Sequence, residues 1–198
     1  MKNVTTTSLL LLAAAAALVP SPAAGRTLAV VGGKALTEAD VLAVHGYLPQ
    51  GPELRETVEG LVQREIVLAL ARGKALGASA GEIDRAAALA VKAFRPPFPT
   101  NSEGYRRRLG EEITIAKYLD RYVYPRVAVT EEALRAYFAA RPGEFMKRPP
   151  RDREALGKLF PRYRNEVLYL YVKAEMRRLL AEAVREARPS LNVEIYVD

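Results

Sequence analysis

Two short strand signals, one near each end of the chain, constrain this sequence more than any other feature. "LAVV" over residues 28–31 is apolar and β-branched at its end, and Gly32-Gly33 follows it as a turn. "LNVEIYVD" over 191–198 alternates, with Leu191, Val193, Ile195 and Val197 on one side. Most of the chain between them reads as helix. A lone strand leaves its backbone donors and acceptors unsatisfied. The simplest solution is that the two strands pair with each other and bring the last helix back onto the first ones. The expected fold is therefore mostly α: a multi-helix domain with a small two-stranded antiparallel pairing of the N- and C-terminal strands.

The helices announce themselves by period and punctuation. Thr37 is a good N-cap, with Glu38 and Asp40 in the first turn. Pro52 suits a helix start, and Leu54, Val58, Leu61, Val62, Ile66, Ala69 and Leu70 recur three or four apart behind it. A third helix over 81–94 carries Ile83, Ala87, Ala90, Val91 and Phe94, and "RPPFPT" ends it. Ser102 and Thr130 cap two more, the second running to Ala140 before Pro142-Gly143. A last long helix is expected from Pro161, with Val167, Leu168, Leu170, Tyr171, Ala174, Met176, Leu179, Leu180 and Val184 forming a broad apolar surface. The interval 144–161, "EFMKRPPRDREALGKLFP", holds basic residues, a Pro-Pro pair and little that could form a core.

The first 25 residues have the layout of a secretory signal peptide: Lys2, an apolar run over 9–19, then small residues with two prolines. That run is too short to cross a hydrocarbon core of about 30 Å, although retention as an anchor is the alternative reading. The chain has no Cys, which excludes disulfides, thiol nucleophiles and a lipid-modified cysteine. Removing the leader lowers the formal net charge from +7 to +6, because it holds Lys2 and no acid. Outside the cytoplasm that balance favours acidic polypeptides, with an anionic membrane surface as a peripheral contact, over nucleic acid.

Catalytic chemistry is sparse. His45 is the only histidine, so neither a transition-metal site nor a histidine-based triad is expected, and there is no "GxSxG" elbow. "GGKALT" lacks phosphate-loop spacing. Glu111-Glu112 and Glu131-Glu132 each read as opening a helix, where the dipole favours acids. No cofactor and no metal are expected. Two features rise above this background. One is aromatic usage late in the chain, including Tyr118, Tyr122, Tyr124, Tyr137, Tyr163, Tyr169 and Tyr171, since tyrosine joins an apolar body to a polar tip. The other is basic: Arg106 to Arg108, and Lys147, Arg148, Arg151 and Arg153, most simply solvated faces.

Four stretches together carry a resemblance. "LAVVGGKALTEADV" resembles the opening of the SurA-, PrsA- and PpiD-type periplasmic folding factors, and "LVQREIVLALARGKALGA" is similar to a helix of that family. "VAVTEEALRAYFAARPGEF" is the most specific of the four, and "YRNEVLYLYVKAEMRRLLAEAVREARPSLNVEIY" resembles the family's last helix and strand. The resemblance implies a helical chaperone domain in which the C-terminal helix wraps the N-terminal ones. It also implies a parvulin-type prolyl isomerase domain of roughly a hundred residues, ordinary domain size, after "YFAARPGEF". The interval 144–161 cannot hold one. The expected organisation is thus a leader over 1–25, a helical chaperone region over 26–145, a short linker over 146–160 in place of the isomerase, and a completing helix and strand over 161–198.

The function this implies is that of an ATP-independent periplasmic holdase, not an enzyme, for unfolded or nascent exported polypeptides, with outer-membrane or secreted proteins as clients. Phe94, Phe98, Tyr122, Tyr137 and Tyr171 are the candidate client-binding residues. A non-catalytic assembly subunit of an envelope complex, with one specific partner, is the alternative. The leader gives the first test. N-terminal sequencing of the protein from an envelope fraction should find a mature start between Ala24 and Arg26, and an intact Met1 in a cytosolic pool would refute export.

Overall fold

A computed structural model describes residues 25–94 and 102–197, so Phe98 and all of the expected leader except Gly25 lie outside the described residues. Strand β1 (Thr27–Val31) is the centre of a three-stranded antiparallel sheet ordered β2-β1-β3. Strand β3 (Glu194–Ile195) pairs with it through Ala29↔Ile195 and Val30↔Glu194, which is the expected closure of the two ends. Strand β2 (Lys34–Thr37) was not expected. It exists because Gly32 and Gly33 adopt φ of 57° and 82°. Positive φ at both central residues is what a two-residue hairpin with native twist requires, so the glycines turn β1 back on itself before the first helix begins. The ladder is irregular between Thr27 and Ala29; accordingly Leu28 and Ala29, adjacent in sequence, are both buried.

Helix α1 (Glu38–His45) follows at once, with Asp40 accepting hydrogen bonds from the Thr37 backbone N–H at 2.8 Å and hydroxyl at 3.0 Å. Helix α2 (Gly51–Gly73) lays Val58, Val62 and Ile66 against Leu28 and Val31 of the sheet in the main core. One charged residue sits inside that buried stripe. Glu65 is 4% exposed and is met by Lys34 of β2 at 2.5 Å and by Arg72 at 2.9 Å. A buried carboxylate without partners would be costly; here its cations come from the hairpin and from two turns further along α2.

Helices α3 (Ala80–Phe94) and α4 (Glu103–Tyr118) cross closely at Gly110, where an added Cβ would lie 3.0 Å from the Ile83 side chain. Ser102 caps α4 by accepting from the Tyr105 N–H. Glu111 and Glu112 do not open a helix. They lie inside α4 and hold Arg64 of α2 at 2.6 and 2.8 Å, so their acidity serves a helix-to-helix clamp instead of a dipole. Nearby, Lys117 bonds to Glu82 at 2.8 Å and, with the Ser79 N–H and hydroxyl, holds its carboxyl down at about 2.

Helix α5 (Glu131–Ala140) is capped by Thr130 as expected. The last helix departs from expectation. Helix α6 runs Arg153–Ala187 and contains Pro161 in its interior instead of starting there. Proline removes only the bond to the carbonyl four residues back and disturbs that turn. The turns before it are held from both ends. Asp152 accepts from the Glu154 and Ala155 N–H groups, and Leu156 and Phe160 are buried in a second core with Leu134, Phe138, Phe145 and Val167. The interval 144–161 therefore does form core, through Phe145, Leu156 and Phe160. Phe138 stands 5.2 Å from Phe145 and 5.8 Å from Phe160, ring centre to ring centre.

The sheet ties this architecture together at the chain's end. The Gly32 N–H donates to the Leu191 carbonyl at 2.6 Å, the Tyr196 N–H to the Leu28 carbonyl at 2.8 Å, and Arg188 grips Glu59 of α2 with both guanidinium nitrogens. Val197 is buried against the main core. Deleting 191–198 should thus cost about 4 kcal/mol, from one fully and three partly buried side chains, and lower Tm by about 10 °C in a chain of this size. Calorimetry showing an unchanged melting temperature would refute the closure.

Candidate functional site

An open groove of about 640 Å³ runs along the middle of α6. Two rows of side chains four residues apart build it. Leu168, Val172, Met176 and Leu180 form an apolar row, and Asn165, Tyr169, Lys173 and Arg177 form a polar row beside it. Residues four apart on a helix stack one above the other, about 6 Å per step, so the apolar row is about 18 Å long. Leu119 supplies the opposite wall. It stands at the start of a π-helical turn, Leu119–Val123, in which the Tyr124 N–H reaches back to the Leu119 carbonyl. Such turns insert one residue into a helix. Here the turn leaves Val123 buried and Tyr122 exposed.

The groove lies between the two cores. Leu168 packs on the second core, Met176 and Leu180 pack on the first, and Val172 belongs to neither. Tyr169 is 64% exposed, and the Lys173 ammonium sits 5.9 Å from the centre of its ring. Lys173 and Arg177 are exposed and form no ion pair among the described residues, in contrast to Arg178, which is held by Glu175 and Glu182.

The sequence-predicted residues are not gathered here. Tyr137 and Tyr171 meet each other edge to face at 5.7 Å beside the second core. Each hydroxyl is engaged: Tyr171 donates to the Ala128 carbonyl at 2.9 Å and Tyr137 to Glu144 at 3.2 Å. Burial, then the Glu144 bond, raises the Tyr137 phenol above its usual range. These two join α6 to α5 and to the segment before it. Tyr122 is exposed, stacked on Tyr118 at 5.6 Å with Lys74 over its ring at 5.7 Å. Phe94 ends α3. The row from Leu168 to Leu180 was missed as a site because Leu168, Met176 and Leu180 were read together with Val167, Leu179 and Val184 as one broad apolar surface, and Val172 was not singled out. The breadth was the signal: a helix apolar over so wide an arc cannot bury all of it against neighbours on one side.

Other surfaces are less developed. A 420 Å³ hollow between α5 and α6 is lined by Ala136, Ala139, Ala140 and Gly157, with the Arg135 guanidinium stacked 4.5 Å over Phe160. Leu42, Val44, Tyr47 and Leu48 make an exposed apolar patch at the end of α1, where His45 stands edge-on to Tyr47. Lys147, Arg148, Arg151 and Arg153 are exposed, whereas Arg106 pairs with Asp84 and Arg108 donates to the Ala43 carbonyl. Among the described residues no cluster of three His, Asp or Glu could hold a metal ion, and no helix is long and apolar enough to cross a membrane. No protein-family model matches the chain, and no curated protein matches it significantly.

Burial separates the aromatics into structural and available sets, and stability measurements should follow it. Phe160→Ala should cost about 3–5 kcal/mol, whereas Tyr169→Ala should stay within about 0.5 kcal/mol of wild type. Chemical denaturation of the two variants checks this; equal losses would mean that Tyr169 is part of the packing.

Proposed function

We propose that this chain is an ATP-independent holdase of the exported compartment, a SurA-type chaperone part without an isomerase domain. The observation that carries the reading is the open apolar row of α6. Unfolded chains expose apolar segments that aggregate, and a solvent-facing groove of this length can cover a short stretch of one. The row is half-buried, and half-buried apolar side chains that line a solvent-open groove are available to a partner. Its small size suits a holdase, since weak, rapidly exchanging contacts let a client leave and fold. The four stretches that resemble the folding-factor family support the same reading, as does the wrapping of the N-terminal helices by α6 and β3. Clients would be unfolded or nascent exported polypeptides, and the short connection between α5 and α6 is the basis for proposing no prolyl isomerase activity.

The test is light scattering from several unrelated, thermally unfolding proteins. Stoichiometric protein without ATP should suppress it, and suppression should survive moderate salt because salt does not screen apolar burial. Val172→Asp, at the one apolar groove position that packs on neither core, should weaken suppression several-fold while leaving the fold intact. A proline-limited refolding reaction, which takes tens to hundreds of seconds uncatalysed, should not accelerate. Unchanged scattering across all clients would overturn the holdase reading in favour of an assembly subunit with a single partner.

A further inference from the structure

We infer that the α6 groove selects among polypeptides by charge, preferring apolar segments that carry Asp or Glu beside the apolar side chains. The inference rests on the holdase reading and names the substrate class of the same groove. Its basis is the pairing of rows. The apolar row offers no discrimination among sequences of similar hydrophobicity. The row next to it places Lys173 and Arg177 one helical turn apart along its rim, and no acid lines the groove. Both cations are exposed and in no ion pair among the described residues. Elsewhere on this surface basic side chains with a carboxylate in reach have taken it, as Arg64, Arg72, Arg126, Arg164 and Arg188 do. The rim cations are thus available to a ligand lying along the apolar row. An extended segment repeats its side chains on one face about every 6.6 Å, close to the 6 Å step of the row.

Two other occupants fit less well. A second copy docked about a two-fold axis near the middle of the row would bring Lys173 and Arg177 of the two copies together, which like-charge repulsion opposes. A bilayer surface meets basic residues readily, but an apolar face one row wide, beside the Tyr169–Lys173–Arg177 row, gives it little to bury.

Fluorescence anisotropy with three labelled peptides of identical apolar residues tests this on the full chain, the peptides differing only in whether the interspersed residues are Glu, Ser or Lys. Two exposed ion pairs are each worth a few-fold in affinity. The Glu peptide should therefore bind about tenfold more tightly than the Ser peptide at low salt. The margin should shrink toward 1 M salt, where the screening length falls to about 3 Å. The double variant K173E/R177E, both positions exposed, should reverse the order of the Glu and Lys peptides, while V172D should weaken all three. Equal affinity for the three peptides, all lost in V172D, would overturn the charge preference and leave the groove and the holdase reading standing. No binding of any peptide would overturn both. Binding of vesicles rich in phosphatidylserine, abolished by K173E/R177E while no peptide binds, would replace the inference with a membrane contact. Dimerisation that V172D disrupts would replace it with self-association.

Discussion

The structure depends on α6 being one continuous helix shared by two cores. Its first half closes over α5 through Leu156, Phe160 and Val167; its second half closes over the sheet and α2 through Leu179 and Val184. The second core has no other long helix, and in the first the long α2 needs α6 to cover it on the side away from the sheet's hairpin. The turn at Pro161 is the point of strain, since one backbone bond is missing there, and the Asp152 cap with the Phe138–Phe145–Phe160 aromatic cluster compensates on its N-terminal side. Continuity of α6 also fixes the distance between the cores, and with it the length of helix left uncovered between them.

The end strand makes the second half of that arrangement obligatory. Because β3 pairs with β1 and the hairpin turn is bonded to the Leu191 carbonyl, the helix cannot leave α2 without breaking the sheet. The Arg188–Glu59 fork ties the end of α6 to α2, and the buried Glu65 with Lys34 ties the hairpin to it. Local propensity would not give this geometry: β3 is two residues long and would not persist alone. It is stable because the helix before it and the strand beside it are already placed.

What could be read from the sequence followed from how local each signal is. Caps at Ser102 and Thr130, the stripe through Val58, Val62 and Ile66, and the alternation ending at Val197 are short-range patterns, and the structure has all of them. β2 was hidden because "KALT" is short and runs straight into the Thr37 cap, so the hairpin showed only as two glycines. The start of α6 was hidden because a proline is ordinarily a boundary, and only Phe138 and Phe145, remote in sequence, give the turns before Pro161 a reason to be helical. Glu111 and Glu112 were misread for the same cause: their partner Arg64 is far away along the chain. The groove is the extreme case. No periodicity distinguishes Val172 from Val167, since both are apolar residues of one helix; which of them is covered is decided by where α5, α2 and Leu119 stop.

That same uncovered length explains why the row beside it is polar. Had Lys173 and Arg177 been leucines, the exposed arc of α6 would approach the contiguous apolar area that drives association, and two copies could bury it against each other in register. Placing Asn165, Tyr169, Lys173 and Arg177 along one edge limits the width of the apolar face to a single row. On the proposed reading it would also make the face repel its own copy and favour carboxylates. On the proposed holdase reading, narrow apolar width would keep affinity low for any one segment, and the flanking charge would keep the protein dispersed between clients. A surface that held non-native chains briefly would need both properties, and along α6 one four-residue spacing places the two rows side by side.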